Sequence, residues 1–534
     1  MANWPRKTRS VTIDYDVSIP MRDGVKLAAD VFRPAGGDRW PVVIIRTPYD
    51  RQLGSSFGMQ MNAVQLAAAG YAVVVQDVRG RFASDGDFYP FVNEGQDGVD
   101  SIAWCAEQPW STGKVGSTGS SYVGFVQVLA AKERPDALKA WVPGVTTIDA
   151  RTGWVYEGDA LCLGFDLSWA LGLASSDRRT LDPSSLLDAL EHWSETTRVP
   201  ILDNPLFRQP SGQWLCDWVS KRDDAAYWAA QSGFGVEEST APALQIGGWY
   251  DLFHHGSFAL HAALAGGNAG SQHRFVMGPW DHGPMPLASG SGTFDFGPRA
   301  AFDLTAAQRE WFDWLLHEGS EPDWPANRMF ITGINRWESF DAWPPPVEPI
   351  ELALDAHGTL SDLGIGSGEA VFTTAPDDPT PTEGGRLCCA LYLLPVGSRW
   401  QNARAKRPDV VRFATEAESE PRWLLGPVTA DIWSTSDREI GDVHVTLVDI
   451  DHRGSSRYLA DGIARTHLVP GEPACFHIDL GHVGHVVLPG HRLGIDVAAM
   501  SFPRFDVTPT DGRSRRSILF GGEFPSMLTI GTRE

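Results

Sequence analysis

"GKVGSTGSSYVGFVQ", residues 113–127, decides how this chain is read. An apolar segment, a run of small residues and two adjacent serines, Ser120 and Ser121, lead into a second segment with helical spacing. The pattern predicts strand, tight turn and helix. Small residues there can serve packing alone, letting a helix approach a strand. They also suit a nucleophile elbow, in which the turn forces its central residue into strained dihedrals and small neighbours relieve the crowding. Spacing within Gly119-Ser120-Ser121-Tyr122-Val123-Gly124 selects Ser121, although Val123 stands where the usual pattern has its second glycine.

Working outward, residues 11–34 read as two strands joined at "RDG", residues 40–50 as a buried strand, and 59–70 as a helix closed by glycine. Residues 71–82 read as another buried strand and 95–110 as a helix. Alternating strands and helices imply an α/β domain with a mostly parallel sheet covered on both faces. From 149 to 235 the pattern is helical and rich in tryptophan, an insertion without an obvious buried strand. "APALQIGGWYDLF" and "QHRFVMGPWDHG" resume the sheet, and helix "TAAQREWFDWLLHEG" closes the domain. Beyond the proline cluster at 344–346, period-2 segments separated by glycine and proline turns predict an all-β jelly roll or sandwich. The expected units are therefore 1–148 with 236–345, the insertion 149–235, and 346–534.

A chain of 534 residues exceeds one hydrophobic core. Its formal net charge of -23 argues against nucleic acid or an anionic membrane as partner, because both require a basic face. A small-molecule substrate or a protein partner fits better, and the acidic surface suits a homo-oligomer as well as a monomer. No signal-peptide core and no membrane-length apolar run is present, so a cytoplasmic location is expected. Six scattered cysteines without CxxC or histidine-linked spacing read as free thiols, with no metal.

In such sheets, reactive groups stand in loops past the carboxyl ends of strands. A serine hydroxyl is a weak nucleophile until a base takes its proton, so Ser121 needs a histidine and an orienting carboxylate. "GGWYDLFHHG" offers Asp251 and "GPWDHG" offers His282, about 130 and about 160 residues further on, in the serine, acid, histidine order of α/β-hydrolases. His254 and His255 adjoin Asp251 too closely to meet it across a site. Asp281 would turn its neighbour His282 away, and His273 precedes its strand, at the opposite end of the sheet. Oxyanion donors follow by position: the backbone N–H of Tyr122, and the hydroxyl of Tyr49 in the loop after "PVVII".

"RTPYDR", "QDVRGRFASDG", "GSSYVG", "GGWYD", "GPWDHG" and "GHRLGIDVAAMSFPRFD" together resemble the cocaine-esterase-like hydrolases of the X-prolyl dipeptidyl peptidase (S15) superfamily, which includes the α-amino-acid ester hydrolases. The resemblance runs from about Thr12 to Asp506. It implies an α/β-hydrolase domain, an inserted helical cap, a C-terminal jelly roll and no cofactor. It makes Ser121, Asp251 and His282 the triad and places Tyr49 and Tyr122 in the oxyanion hole. Relatives that take α-amino acyl groups carry carboxylates two and three residues after the triad aspartate, where this chain has Phe253 and His254. Phe253 with Trp154, Phe165 and Trp169 instead implies a pocket for a bulky apolar or aromatic acyl group. Glu157 and Asp159, near the cap entrance, keep a cationic substrate open. Arg79 and Arg81 are expected to organise their loop, and His491 to sit between domains. The expected activity is serine esterase; the same triad would also serve an X-Pro dipeptidyl peptidase or an amino-acyl ester or β-lactam acylase.

Overall fold

The computed structural model describes residues 9–533 apart from 38, 53–61, 177–187, 190, 208–211, 284–288, 363, 365, 390–393 and 509–510. Its centre is set by runs of β-branched residues that find no water on either face. β1 (Val11–Pro20), β2 (Lys26–Pro34), β3 (Trp40–Thr47), β4 (Ala72–Asp77), β5 (Ser111–Ser120) and β6 (Leu138–Gly144) lie in one sheet with β7 (Leu244–Gly248), β8 (Arg274–Gly278), β9 (Asn327–Ile331) and β10 (Arg336–Phe340). The ten strands run in the order β1-β2-β4-β3-β5-β6-β7-β8-β9-β10. All neighbours from β4 to β9 are parallel, and β1, β2 and β10 pair antiparallel at the two edges. Helices cover both faces. Val42 and Ile44 pack with α2 (Glu94–Glu107) and α3 (Tyr122–Ala131), while Val43 and Ile45 face α1 (Ala63–Ala69), as strand alternation demands. The β9–β10 hairpin extends the sheet past the helix at 304–316 that was expected to close it.

Between β6 and β7 stand a π-helical turn (Arg151–Val155), α4 (Leu163–Ser176) and α5 (Gln213–Ser220). The sequence predicts helix throughout residues 154–173, yet Tyr156–Glu157 and Ala160–Leu161 form a short hairpin. Gly158 and Asp159 both have positive φ, 51° and 66°, the backbone of a two-residue hairpin turn. A helix was also expected over residues 182–195; of that stretch 182–187 and 190 lie outside the described residues, and Trp193–Thr196 is helical.

The remainder of the chain is antiparallel β. A seven-stranded sheet holds β11 (Glu348–Leu354), β12 (Leu360–Ser361), β13 (Gly368–Thr374), β15 (Arg422–Ser436), β18 (Ala474–Val487), β20 (Ser514–Phe520) and β21 (Met527–Arg533). A four-stranded sheet holds β14 (Val410–Ala414), β16 (Ile440–Ile450), β17 (Ser456–His467) and β19 (Arg492–Ala498). Their inward residues share one core that includes Val428, Ile432, Leu447, Phe476 and Ile495. This region is docked on the first. Thr332 exchanges backbone hydrogen bonds with Gly484 and Val486, and the His482 N–H donates to His254 Nε2 at 2.9 Å. A side chain at Gly158 would strike the Ile463 carbonyl at 1.7 Å, so only glycine lets the hairpin meet β17.

Cys388 and Cys389 are joined in a disulfide, which corrects the expectation of six free thiols; Cys389 reaches its partner through a positive φ of 69°. Among the described residues no helix is long and apolar enough to cross a membrane.

One buried pair makes the fold sensitive to acid. His261 Nδ1 lies 3.1 Å from His273 Nε2, and His273 Nδ1 lies 3.1 Å from the Ala243 carbonyl. Burial pushes His261 down to about 4; burial, helped by the neighbouring imidazole, pushes His273 down to about 3. An unfolded histidine titrates near 6.5, so between roughly pH 6.5 and 4 the unfolded chain binds protons that the folded one refuses. Stability therefore falls as pH falls, by about 1.4 kcal/mol per pH unit for each imidazole. The drop in melting temperature from pH 7 to pH 5 is expected to shrink in a His261→Gln/His273→Gln double variant.

Candidate active site

Ser121 is the single residue between β5 and α3, with φ 60° and ψ -127°, a conformation that side-chain-bearing residues avoid. Two glycines make the turn possible. A Cβ on Gly119 would lie 2.1 Å from Val123 Cγ1, and one on Gly124 would lie 2.8 Å from Thr146 Cβ. The departure from the usual elbow pattern thus has a steric account: Val123 fills the space that Gly119 vacates. Gln127 ties the turn down, its Nε2 donating to the Gly119, Val123 and Val142 carbonyls at 3.1, 2.9 and 3.3 Å.

Asp251 and His282 arrive from neighbouring parallel strands. β7 and β8 pair in register through Gly248 and Gly278, so the loops that follow emerge side by side. Trp249 N–H donates to the Gly278 carbonyl and Tyr250 N–H to the Trp280 carbonyl, zipping the two loops together. Gly248 permits this, since a Cβ there would meet the Trp280 oxygen at 2.6 Å. Asp251 is fully buried; its Oδ1 accepts the Phe253 N–H at 2.7 Å, and its Oδ2 lies 2.5 Å from His282 Nδ1. His282 Nε2 lies 2.9 Å from Ser121 Oγ. The three side chains named from sequence therefore form one relay at the carboxyl rim of the sheet.

Tyr49 faces the same point. Its phenol interacts with Ser121 and accepts the Trp169 indole N–H at 2.9 Å; burial is the main reason that its pKa is pushed up to about 12, so the hydroxyl keeps its proton at neutral pH. Arg81 holds this loop, donating to the Pro48 carbonyl at 2.9 Å and to Ser176 Oγ in α4 at 2.7 Å. Arg79 pairs with Asp97 and Asp23. The Tyr122 N–H opens α3, where helical geometry provides no carbonyl for it.

Trp154, Phe165, Trp169 and Phe253 are all buried and form one aromatic wall. Ring centroids lie 4.4 Å apart for Trp154 and Phe253, 5.5 Å for Trp154 and Phe165, and 5.2 Å for Trp154 and Trp169. Phe253 also stands edge-on to His282 at 5.3 Å, so the wall reaches the relay. A cavity of about 20 Å³ adjoins it, lined by Trp154, Phe165, Leu252, His255, Arg386 and Arg504, with room for one water.

The other candidates are engaged elsewhere. Asp281 accepts from Ser291 Oγ and the Gly283 N–H. His273 sits at the opposite end of β8. His491 does not lie between the two regions: it bonds Asp449 within the β region at 2.8 Å, whereas His485 makes one of the inter-region contacts, with Thr332 Oγ1 at 2.9 Å. Glu157 is paired with Arg504 at 2.7 Å and Asp159 with Arg151 at 2.9 Å, so neither stands as a lone anion. Sequence reasoning missed the support beneath the elbow. Tyr122 Oη donates to Glu94 Oε1 at 2.6 Å, and Glu94 Oε2 is paired with Arg46 at 2.9 Å. It also missed the Trp169 indole as the donor to Tyr49. No local pattern announces either contact, because the partners meet only across the fold.

A parallel sheet with a strained serine at a strand-to-helix turn, relayed through histidine to a buried aspartate, defines a hydrolase scaffold. Residues 23–284 match the X-Pro dipeptidyl-peptidase (S15) family, and residues 319–529 match the X-Pro dipeptidyl-peptidase C-terminal non-catalytic domain. The chain is 32% identical to cocaine esterase of Rhodococcus sp. (strain MB1 Bresler), over 94% of this chain and 93% of that protein. A solved α-amino acid ester hydrolase superposes with a TM-score of 0.79 at 25% identity, covering 100% of this chain and 98% of the other. An aminopeptidase from a marine sediment Thaumarchaeota archaeon has the same fold, with a TM-score of 0.79 at 22% identity over 100% of this chain and 98% of the other. The chain belongs to the cocaine-esterase-like branch of this S15 and α-amino-acid ester hydrolase superfamily.

Proposed function

We propose that this protein is a serine esterase that hydrolyses small-molecule carboxylic esters with a bulky apolar or aromatic acyl group, through an acyl-enzyme on Ser121. The observation that carries the reading is the relay Ser121 Oγ, His282, Asp251, at 2.9 and 2.5 Å. His282 Nε2 takes the Ser121 proton as Oγ attacks the ester carbonyl, and Asp251 holds the resulting imidazolium. The oxyanion is received by the Tyr49 hydroxyl and the Tyr122 N–H. Collapse expels the alcohol, which leaves with the proton from His282; water, deprotonated by the same imidazole, then releases the acid and restores Ser121. This reading takes the parallel sheet as an α/β-hydrolase domain, the segment between β6 and β7 as its helical cap, and the two antiparallel sheets as a jelly roll.

The acyl preference rests on the wall of Trp154, Phe165, Trp169 and Phe253. An α-ammonium in this pocket would need an unpaired anion. Glu157 and Asp159 are both held by arginine, and burial raises the Asp166 carboxyl well above the usual carboxylate range, which disfavours an anion there. Bulky apolar acyl esters are therefore favoured over amino-acyl ones.

The test is covalent labelling with a fluorophosphonate, mapped by peptide, beside rates on a p-nitrophenyl ester, the matching anilide and an X-Pro anilide. Label on Ser121 and fastest turnover of the ester are expected; label elsewhere, or fastest turnover of the X-Pro anilide, defeats the reading. Tyr49→Phe is expected to lower kcat about 10²- to 10³-fold, a loss of roughly 3–4 kcal/mol. An unchanged kcat would remove Tyr49 from the oxyanion hole.

A further inference from the structure

In an antiparallel pair, directly opposed residues share a face, and so do alternate residues along each strand. β15 and β18 pair with Asp431 opposite His477 and Trp433 opposite Cys475. Asp431, Cys475 and His477 therefore project from one face. That face points outward: the three are half-buried or exposed, whereas the intervening Ile432, Phe476 and Ile478 are core residues. One donor atom from each of the three lies within 4.8 Å of the others, and His477 Nδ1 is 2.6 Å from Asp431 Oδ1.

We propose that Asp431, Cys475 and His477 bind a transition-metal ion of the Zn²⁺ class on the outer face of the seven-stranded sheet. A thiolate, an imidazole and a carboxylate form the mixed donor set that such an ion takes, leaving a fourth position for water or an added ligand. At metal–ligand distances of about 2.0–2.3 Å, donors around a tetrahedral centre stand roughly 3.3–3.6 Å apart. The observed spread, within 4.8 Å, is close to that spacing. The ion takes the place of the hydrogen bond between Nδ1 and Oδ1, the neutral imidazole then carrying its proton on Nε2, and it releases the thiol proton to solvent. Its ligands come from two strands, so it clips β15 to β18. Strand β18 is the one that continues to His482 and its hydrogen bond to His254. The spacing read from sequence concealed this site. Cys475 and His477 are only two residues apart, Asp431 is 44 residues before Cys475, and pairing register alone unites them.

The full chain, stripped of metal by chelator and kept without reductant, is titrated with Co²⁺. One equivalent is expected to bind with a sulfur-to-cobalt charge-transfer band that Zn²⁺ abolishes. Cys475→Ser should lose the band, and His477→Gln and Asp431→Asn should weaken binding roughly tenfold or more. Zn²⁺ should raise the melting temperature of the wild type and not of Cys475→Ser, because an ion that binds only the folded state stabilises it. His477 is 80% exposed, so His477→Gln folds normally and serves as the second variant. No sulfur band in the wild type, or equal binding by wild type and variants, overturns the site. Ester turnover is expected to be the same in all forms, so failure here leaves the Ser121 reading standing.

Discussion

Replacing Ser121 by alanine is expected to lower kcat on a p-nitrophenyl ester by about 10⁶-fold and to abolish fluorophosphonate labelling. The size of the effect follows from the proposed route, in which every turnover passes through a bond to Ser121 Oγ. Alanine keeps a Cβ, so the strained dihedrals of φ 60° and ψ -127° and the contacts of Gly119 and Gly124 are unchanged. The melting temperature should accordingly stay near that of the wild type, which separates lost chemistry from lost fold. What survives should be the contribution of the oxyanion donors alone, and it should no longer respond to a second change at His282. A Ser121→Ala protein that retained a tenth of its activity would place the nucleophile elsewhere.

Asp251→Asn is expected to cost about 10⁴-fold in kcat while disturbing the structure little. Asp251 accepts two hydrogen bonds, from the Phe253 N–H at 2.7 Å and from His282 Nδ1 at 2.5 Å. An asparagine can satisfy the first with its carbonyl, but its NH₂ then meets His282 Nδ1 as a donor. The imidazole must answer with the tautomer that carries its proton on Nε2, and that nitrogen can no longer accept the Ser121 proton. The buried anion that steadies the imidazolium is lost as well. Steady-state rates at saturating substrate test this directly: a loss of less than tenfold would show that the relay is not used.

Much of the site was legible because its groups follow short apolar strands. Asp251 and His282 each stand within a few residues of an apolar run, Ser121 ends a run of small residues that leads into a helix, and parallel strands deliver their carboxyl ends to one rim. Tyr49 was placed by the same logic. The hairpin at Tyr156–Leu161 was missed because apolar residues flanking Gly158-Asp159 also fit helical spacing. The β9–β10 hairpin was missed because "NRMFITGINRWESF" follows a strong helix and lies at the sheet edge. The Cys388–Cys389 disulfide joins neighbours that composition alone reads as two thiols.

Taken by itself, the amino-acid sequence determined the alternation of strands and helices from β1 to α3 and again at β7 and β8, the position of the strained serine, and the chain order of serine, aspartate and histidine. These are local matters, written in periodicity, in glycine spacing and in the residues just past each strand. Only the tertiary structure decided that Trp169 donates to Tyr49, that Glu94 and Arg46 support Tyr122, that Arg504 neutralises Glu157, and that Asp431 stands across from His477. Those pairings join residues from about 30 to 350 positions apart. Each depends on sheet register and on how the two regions dock, properties that no window of the chain carries because they are set by the packing of the whole.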